Sequence, residues 1–297
     1  MKYGQNVNMN FKNYNNQKLI SIVVPCFNSG ETLDRTIQSI KNQTWIEKEI
    51  ILVNDGSNDR NTLEVLEGYK NDSLIKVVNQ KNKGLSSARN TGVIHSKGNY
   101  IFFLDSDDWI NLNALEEFYK FLQNNKNSSY VFSDCILEGS NKGIRKKVFN
   151  LFEQMFINQI PYSIFIPKNI FVDNGFYDET MLLGYEDWEF NVRLAANKCY
   201  GKRLSKPLFH YNVSNSGMLI SKSIKNHINI WNYIKGKNSE FYKFKNVINV
   251  FYQWSFKKTN YPTIFIFLWF LILEYLPKNL TLMIFLNLRK IKFFLKK

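Results

Sequence analysis

The feature that most narrows what this chain can fold into is a rhythm, in which short apolar runs are each followed by a helix-patterned segment. Leu19-Ile-Ser-Ile-Val-Val-Pro-Cys-Phe27 is almost continuously apolar, as a strand must be when helices cover both faces of a parallel sheet. Asn28 then offers an N-cap with Glu31 three residues on, and Leu33, Ile37 and Ile40 recur at helical spacing. The unit repeats: Glu49-Ile-Ile-Leu-Val53 reads as a strand and Leu63, Leu66 and Tyr69 as a helical face. Ile75-Lys-Val-Val78 is a third strand, followed by a helix over roughly 86–96, and Tyr100-Ile-Phe-Phe-Leu104 is a fourth strand that stops at a cluster of acids. Strands alternating with helices at this spacing predict βαβ units and a doubly wound α/β fold, with a mostly parallel sheet flanked by helices.

After Asp108 the rhythm loosens. Leu112, Leu115, Tyr119 and Leu122 mark a helix and 130–137 a strand, the stretch to Phe176 mixes strand-like and helix-like runs, and helical spacing returns at Trp188, Val192 and Ala195. The expected organisation is a polar, flexible lead-in over 1–17 and an α/β domain over 18–220, with a regular first half (18–110) and a less regular second half (111–220). A helical, basic region follows over 221–297. Residues 1–17 hold no apolar run of the kind that forms the core of a secretory signal. Cys26, Cys135 and Cys199 are odd in number and show no C-x-x-C spacing, which fits a reducing cytoplasm rather than a disulfide framework.

In open α/β sheets ligands bind outside the carboxyl ends of the strands. Three polar clusters fall there: Pro25-Cys-Phe-Asn-Ser-Gly30, Asn54-Asp-Gly-Ser-Asn-Asp59 and Asp105-Ser-Asp-Asp108. Each alone reads equally as a turn or a helix cap. Together they suggest more, because Asp105 and Asp107 at one buried strand end repel unless a cation lies between them. Carboxylate oxygens suit Mg²⁺ or Mn²⁺, which hold one or two protein carboxylates and complete their shell with substrate phosphates. Asp55, at the neighbouring strand end, is placed to accept hydrogen bonds from a base or sugar. Neither a G-x-G-x-x-G after the first strand nor a P-loop occurs.

Over about 19–211 the chain resembles the family-2 glycosyltransferases of the GT-A fold. The resemblance is carried by Ser21-Ile-Val-Val-Pro-Cys-Phe-Asn28, Glu49-Ile-Ile-Leu-Val-Asn-Asp-Gly-Ser57 with Asp59, Asn82-Lys-Gly-Leu-Ser-Ser-Ala-Arg-Asn90 with Gly92, and Phe103-Leu-Asp-Ser-Asp-Asp108. Gly175-Phe-Tyr-Asp-Glu179 and Gly184-Tyr-Glu-Asp-Trp-Glu-Phe190 with Arg193 complete it. It implies an enzyme that moves a sugar from a nucleotide-diphosphate donor, a UDP-sugar, to a glycan or lipid-linked glycan in surface-polysaccharide synthesis. Phe27 and Asp55 would lie against the base, Arg89 near base or phosphate, Asp105 at the ribose and Asp107 on Mn²⁺ or Mg²⁺. Pro25, Asn28, Glu31, Lys83, Gly84 and Ser106 would complete the nucleotide-sugar site. The general base would be Asp187, with Glu186 as the second candidate, and displacement in one step would invert the anomeric carbon. The plainer reading of this acid pair is helix capping, and that of Arg89 is a surface helix residue.

One departure stands out. Relatives carry a Tyr-Arg-x-His type segment near the end of the catalytic domain, where this chain has His210-Tyr-Asn-Val-Ser214, so Asn212 and Ser214 stand in for Arg and His. His210 is either a shifted ligand or a packed aromatic neighbour.

The net charge of +14 is concentrated at the end, where residues 257–297 hold eight Lys or Arg against the single acid Glu274. Ile264 to Leu273 gives ten apolar residues, short of the ~20 that span a bilayer. Downstream, Ile284, Leu288, Ile291 and Leu295 form a stripe flanked by Arg289, Lys292 and Lys296. That pattern fits either a helix on an anionic membrane surface, making the protein cytoplasmic and peripheral to the inner face, or a helix packed on the catalytic domain or another subunit. Nucleic acid is not an expected partner, since no base-stacking aromatics interleave with the basic residues. The rival to an enzyme is a carbohydrate- or lipid-binding partner protein on a transferase-like scaffold.

Overall fold

The computed structural model describes residues 18–214, 223–224 and 226–294. The lead-in over 1–17 lies outside them, as do the side chains of Leu288, Ile291 and Leu295 and of the basic flank Arg289, Lys292 and Lys296. The first half runs β1 (Ile20–Cys26), α1 (Gly30–Lys41), β2 (Lys48–Asp55), α2 (Arg60–Gly68), β3 (Ile75–Gln80), α3 (Leu85–His95) and β4 (Tyr100–Phe103). Next come β5 (Trp109–Ile110), α4 (Ala114–Asn124), β6 (Tyr130–Gly139), β7 (Gly143–Arg145), α5 (Leu151–Gln154), β8 (Ile164–Pro167), α6 (Lys168–Asp173), α7 (Glu186–Ala196) and β9 (Gly201–Val213). The chain continues through α8 (His227–Lys237), α9 (Phe244–Trp254), α10 (Thr263–Tyr275) and α11 (Lys278–Phe294).

Every residue of β1 is buried, which is why its sequence does not alternate. It lies between β2 and β4, both parallel to it. The chain therefore builds β1, β2 and β3 outward in one direction and returns to place β4 on the other flank of β1. That reversal is a topological switch point, and the crevice it leaves is where an open α/β sheet binds ligands. Close packing of α3 on β1 requires Gly92, where an added Cβ would stand 2.3 Å from Cγ1 of Val23.

Among the described residues the sheet has nine strands in the order β3-β2-β1-β4-β8-β6-β9-β5, with β7 pairing β6. The continuous parallel part of the sheet is β3-β2-β1-β4. Beyond β4 it is mixed, with β8 antiparallel to both β4 and β6, and β6 parallel to β9. The 13-residue β9 escaped the periodicity because polar and basic residues interrupt it and its ladder with β6 slips register around Asp134.

Local corrections have simple causes. The N-cap position of α1 is Ser29, which makes no side-chain cap, rather than Asn28, because Asn28 sits at φ 49° and spends its side chain on a cross-link to the next loop. Helix α4 starts at Ala114, so Leu112 stays outside it and is 61% exposed, and Phe118 takes the inward place expected of Tyr119.

The C-terminal helices share a core with the catalytic part. Ile266, Trp269, Phe270 and Leu273 of α10 and Trp231 of α8 pack with Phe152 and Phe156 and with Trp188 and Val192 of α7. Glu153, fully buried, fastens them: its carboxylate accepts from the backbone N–H groups of Asn260 (2.8 Å) and Tyr261 (2.7 Å) and from the Asn260 amide (2.7 Å). The apolar run of α10 is thus packed on the α/β part of the chain, whereas most of the downstream stripe, for which a membrane surface or a packed position stays open, lies outside the described side chains. Among the described residues no helix is long and apolar enough to cross a membrane.

Candidate functional site

The loop that follows β4 carries three acids, and helix α1 holds it by its main chain. Thr32 and Thr36 donate their hydroxyls to the carbonyl of Ser106 (2.9 and 3.0 Å), Thr36 also to that of Asp108 (2.7 Å), and Arg35 donates to that of Asp107 (3.1 Å). With the backbone fixed this way, the carboxylates are free for other work.

The three have different fates. Asp108 is fully buried and structural: it accepts from the Tyr162 hydroxyl and, at 2.7 Å, from the backbone N–H of Asn212. Burial and the neighbouring charges of Asp107 and Asp105 hold its carboxyl well above the usual range. Asp105 is paired with Arg89 at 2.6 Å. Asp107 has no salt bridge among the described residues, and burial followed by repulsion from Asp105 pushes its carboxyl up to about 6, with the Asn212 amide partly offsetting the rise.

A hard-oxygen donor with no salt-bridge partner among the described residues fits a divalent cation. Among the described residues no group of three or more His, Cys, Asp or Glu forms a closed metal cage. A cation here would therefore rest on Asp107 and draw most of its remaining ligands from outside the protein. His210 belongs to the packing: its ring stacks on Trp109 at 4.7 Å, and its nitrogens meet Glu138 (3.1 Å) and Asn111 (2.8 Å). Of the segment expected to differ, Asn212 reaches the acid loop and His210 does not serve it.

Arg89 is the hinge of the site. It is 1% exposed, not the surface helix residue of the plainer reading, and α3 aims it between two carboxylates, Asp105 on one side and Glu186 on the other. Its guanidinium also lies over the rings of Tyr162 (4.8 Å) and Tyr177 (5.8 Å). One arginine thus ties the end of β4 to the first residue of α7. Next to Glu186, Asp187 accepts from Asn158 (3.0 Å) and from the backbone N–H of Trp188 (2.8 Å). Burial first and the charge of Glu186 second raise its carboxyl to about 7. The helix N-cap itself is Tyr185, in the left-handed conformation with φ 62°.

The remaining expected residues lie at or near the carboxyl ends of β1, β2 and β4 and in the loop into α3. Phe27 is 48% exposed at the mouth, and Pro25 is buried within β1. Asn28 clamps two loops, donating to Asn58 (2.8 Å) and accepting from its N–H (2.9 Å). Glu31 is exposed in the first turn of α1. Asp55 is buried and anchors the loop into α3, accepting from Gln80 (2.7 Å) and from the backbone N–H groups of Lys83 (2.8 Å) and Gly84 (2.9 Å). Gly84 takes φ 89° there, which favours glycine. Ser106 contributes its carbonyl to the α1 contacts.

Sequence reasoning missed Thr32, Arg35, Thr36, Asn158 and Tyr162. The first three had a signal, since hydroxyls at i and i+4 beside a cation lie on one helix face toward a strand end. Asn158 and Tyr162 lie in the stretch whose periodicity was mixed.

The chain has known relatives in both sequence and fold. Residues 21–184, more than half of the chain, match Glycosyl transferase family 2. The poly(ribitol-phosphate) beta-N-acetylglucosaminyltransferase TarP of Staphylococcus aureus is 34% identical over 191 residues, covering 61% of this chain and 58% of TarP. The hyaluronan synthase of Pasteurella multocida is 37% identical over 120 residues, 40% of this chain and 12% of that protein. The chain therefore spans only part of the length of these relatives. Among solved structures, residues 1–349 of S. aureus TarS in complex with UDP-GlcNAc superpose with a TM-score of 0.63 at 20% identity, over 79% of this chain and 73% of that one, a likeness of fold. A crevice at the switch point, an acid loop held at the end of β4 and a family match over more than half of the chain lead to one conclusion: the chain belongs to glycosyl transferase family 2 and has its GT-A fold.

Proposed function

We propose that the protein is an inverting glycosyltransferase that moves a sugar from a nucleotide-diphosphate donor to a hydroxyl of a surface glycan or its lipid-linked precursor. The observation that carries this reading is the Asp105–Arg89–Glu186 bridge, which joins the acid loop to the helix bearing Asp187. A UDP-sugar donor is favoured by the likeness to TarS, whose structure holds UDP-GlcNAc. An acceptor among surface polymers is favoured by TarP, named for poly(ribitol-phosphate).

In this reading Phe27 faces the base and Asp55 shapes the loop around it. Asp105, steadied by Arg89, meets the ribose. Asp107 holds Mn²⁺ or Mg²⁺, which when bound supplies Lewis-acid neutralisation of the departing diphosphate. Asp187 takes the proton of the acceptor hydroxyl as that oxygen attacks the anomeric carbon. Its raised carboxyl suits the task, because a base that titrates near neutrality is ionised at working pH yet accepts a proton readily. Glu186 is committed to Arg89 and serves as its counter-charge.

Peripheral membrane contact is supported by the exposed face around the C-terminal helices. Phe256 is 92%, Ile264 66% and Tyr275 68% exposed, beside Lys257 and Lys258. Apolar side chains among lysines suit an anionic headgroup region.

The experiment that tests the catalytic reading is Asp187→Asn, a nearly isosteric change. Transfer from a UDP-sugar should fall by about 10²–10⁴, the usual cost of losing a general base, while UDP affinity stays near that of the wild type. Normal turnover, or donor binding lost in step with activity, would remove Asp187 from the role.

A further inference from the structure

Strand β6 outruns β8. Its first residues are flanked by β8 at Val131 and Phe132, but along Cys135–Leu137 that flank is taken by β7, which returns antiparallel through a tight hairpin. On the far side of β8 lies β4, whose carboxyl end carries the acid loop. The β7 segment therefore stands level with that loop. Across β6, Tyr211 of β9 pairs with Leu137, and the next residue, Asn212, donates its backbone N–H to Asp108.

The hairpin is basic: Lys142, Arg145, Lys146 and Lys147 fall within six residues. Lys147 is engaged with Gln159 (2.9 Å) and lies over the Tyr261 ring. The other three are not so used. Arg145 is half-buried opposite Cys135, and among the described residues its guanidinium has neither a salt bridge nor a hydrogen bond. Its positive charge is felt at the Cys135 thiol and at the Tyr211 hydroxyl, which also senses Asp105, Asp107 and Asp108. Lys142 and Lys146 are exposed on the same hairpin. The other half-buried arginines have carboxylate partners: Arg193 has Glu189, and Arg203 has Asp134. An arginine left without one beside a reaction centre is a place for a ligand's anion.

We propose that the β6–β7 hairpin forms a phosphate-binding subsite, with Arg145 at its centre and Lys142 and Lys146 along its rim, which takes the anionic backbone of the acceptor beside the reaction centre. The proposal rests on the glycosyltransferase reading and names its acceptor class. The acceptor is the favoured source of phosphate because the hairpin belongs to the second half of the chain, on the opposite side of the acid loop from Phe27 and Asp55. Lys142 and Lys146, in front of and behind Arg145 in the chain, are both exposed to solvent. It also supplies a cation near the segment in which Asn212 replaces an arginine.

The test uses the full chain saturated with UDP and Mn²⁺, so that the donor site is filled. A synthetic glycerol-phosphate hexamer and, as a neutral control, maltohexaose are then titrated calorimetrically. The wild type should bind the hexamer in a salt-sensitive way, and R145Q should weaken it about tenfold, the worth of a charge-assisted contact. UDP affinity and maltohexaose binding should stay unchanged. The exposed pair K142Q/K146Q reads the same subsite should R145Q fold poorly. Hexamer binding untouched in both variants overturns the proposal, and so does a parallel loss of UDP affinity in R145Q, which would assign the cation to the donor diphosphate. Failure of the wild type to bind UDP would instead count against the reading of the cleft, and loss of hexamer binding on R145Q would still uphold the subsite.

Discussion

Glu186→Gln separates the two acids at the start of α7 more sharply than any other change. Arg89 and Glu186 are 1% and 5% exposed, so the pair cannot fall back on water. Removing one partner of a buried ion pair costs about 3–5 kcal/mol when the remaining charge is left uncompensated. Here Asp105 stays on the guanidinium at 2.6 Å, and the glutamine carbonyl still accepts a hydrogen bond. The expected loss therefore shrinks toward one charge-assisted hydrogen bond, about 1.5–3 kcal/mol, or roughly 2–5 °C in melting temperature for a chain of this size. The catalytic consequence has a definite sign. The like charge of Glu186 helps to hold the Asp187 carboxyl up at about 7, so its removal lets that value fall. Since the base must be ionised to work, the acid limb of the pH–rate profile should lie near 7 in the wild type and move to lower pH in the variant. At pH 6 the variant should retain a larger share of its plateau rate than the wild type does. Stopped transfer from a UDP-sugar over pH 5–9, alongside a thermal melt, reads both effects. The reasoning fails if the variant loses about 10²–10⁴ in rate at every pH, the signature of a missing base, or if the limb moves upward.

Asp107→Asn should weaken UDP and Mn²⁺ binding together and abolish transfer, as checked by calorimetry with each ligand alone and both combined; retained activity would move the cation elsewhere. UDP should raise the melting temperature in Mg²⁺ or Mn²⁺ and much less in EDTA, because the phosphate contact is completed by the ion; equal stabilisation in both would argue against a bridged diphosphate. Truncation after Lys257 should yield unfolded or aggregated protein. It strips Ile266, Trp269, Phe270 and Leu273 from the core, at about 1.5–3 kcal/mol each, and deprives the buried Glu153 of its partners. A soluble truncated chain with a normal circular dichroism melt would show that these helices are dispensable. Gly92→Val should destabilise strongly in a denaturant titration, since a Cβ there collides with Val23 on β1; a wild-type midpoint would mean that α3 can shift at little cost.

What the sequence disclosed follows from how each part is stabilised. The β1–β4 half was legible because its strands are buried on both faces and its helices bury one stripe, so each element declares itself locally. The acids at the strand ends were legible for the same reason, once the strands were placed. The roles within the site were less so. Nothing in the Glu186-Asp187 dipeptide says which acid faces Arg89, because that is decided by a side chain 97 residues away. Strand β9 pairs with β6 over a bulged ladder and is fully buried only at Leu204, Leu208 and Phe209, so its alternation is weak. The burial of α10 against α7 also depends on partners far along the chain, and ten apolar residues in a row read alike whether they face lipid or a protein core.

The length of the Arg89 bridge bears on how the chain folds as it is made. Arg89 and the strands around it leave the ribosome well before Glu186, so the nascent first half holds an arginine whose burial one acid, Asp105, must compensate alone. Domains tend to fold as units from the N-terminus during synthesis, yet a contact of such separation closes late, after its loop-closure cost has been met. The crevice therefore gains its final shape only when α7 docks. A fragment ending at residue 110 would keep β1 to β4 but lose both the β8 neighbour of β4 and the Glu186 partner of Arg89, so its strands would surround an unfinished crevice.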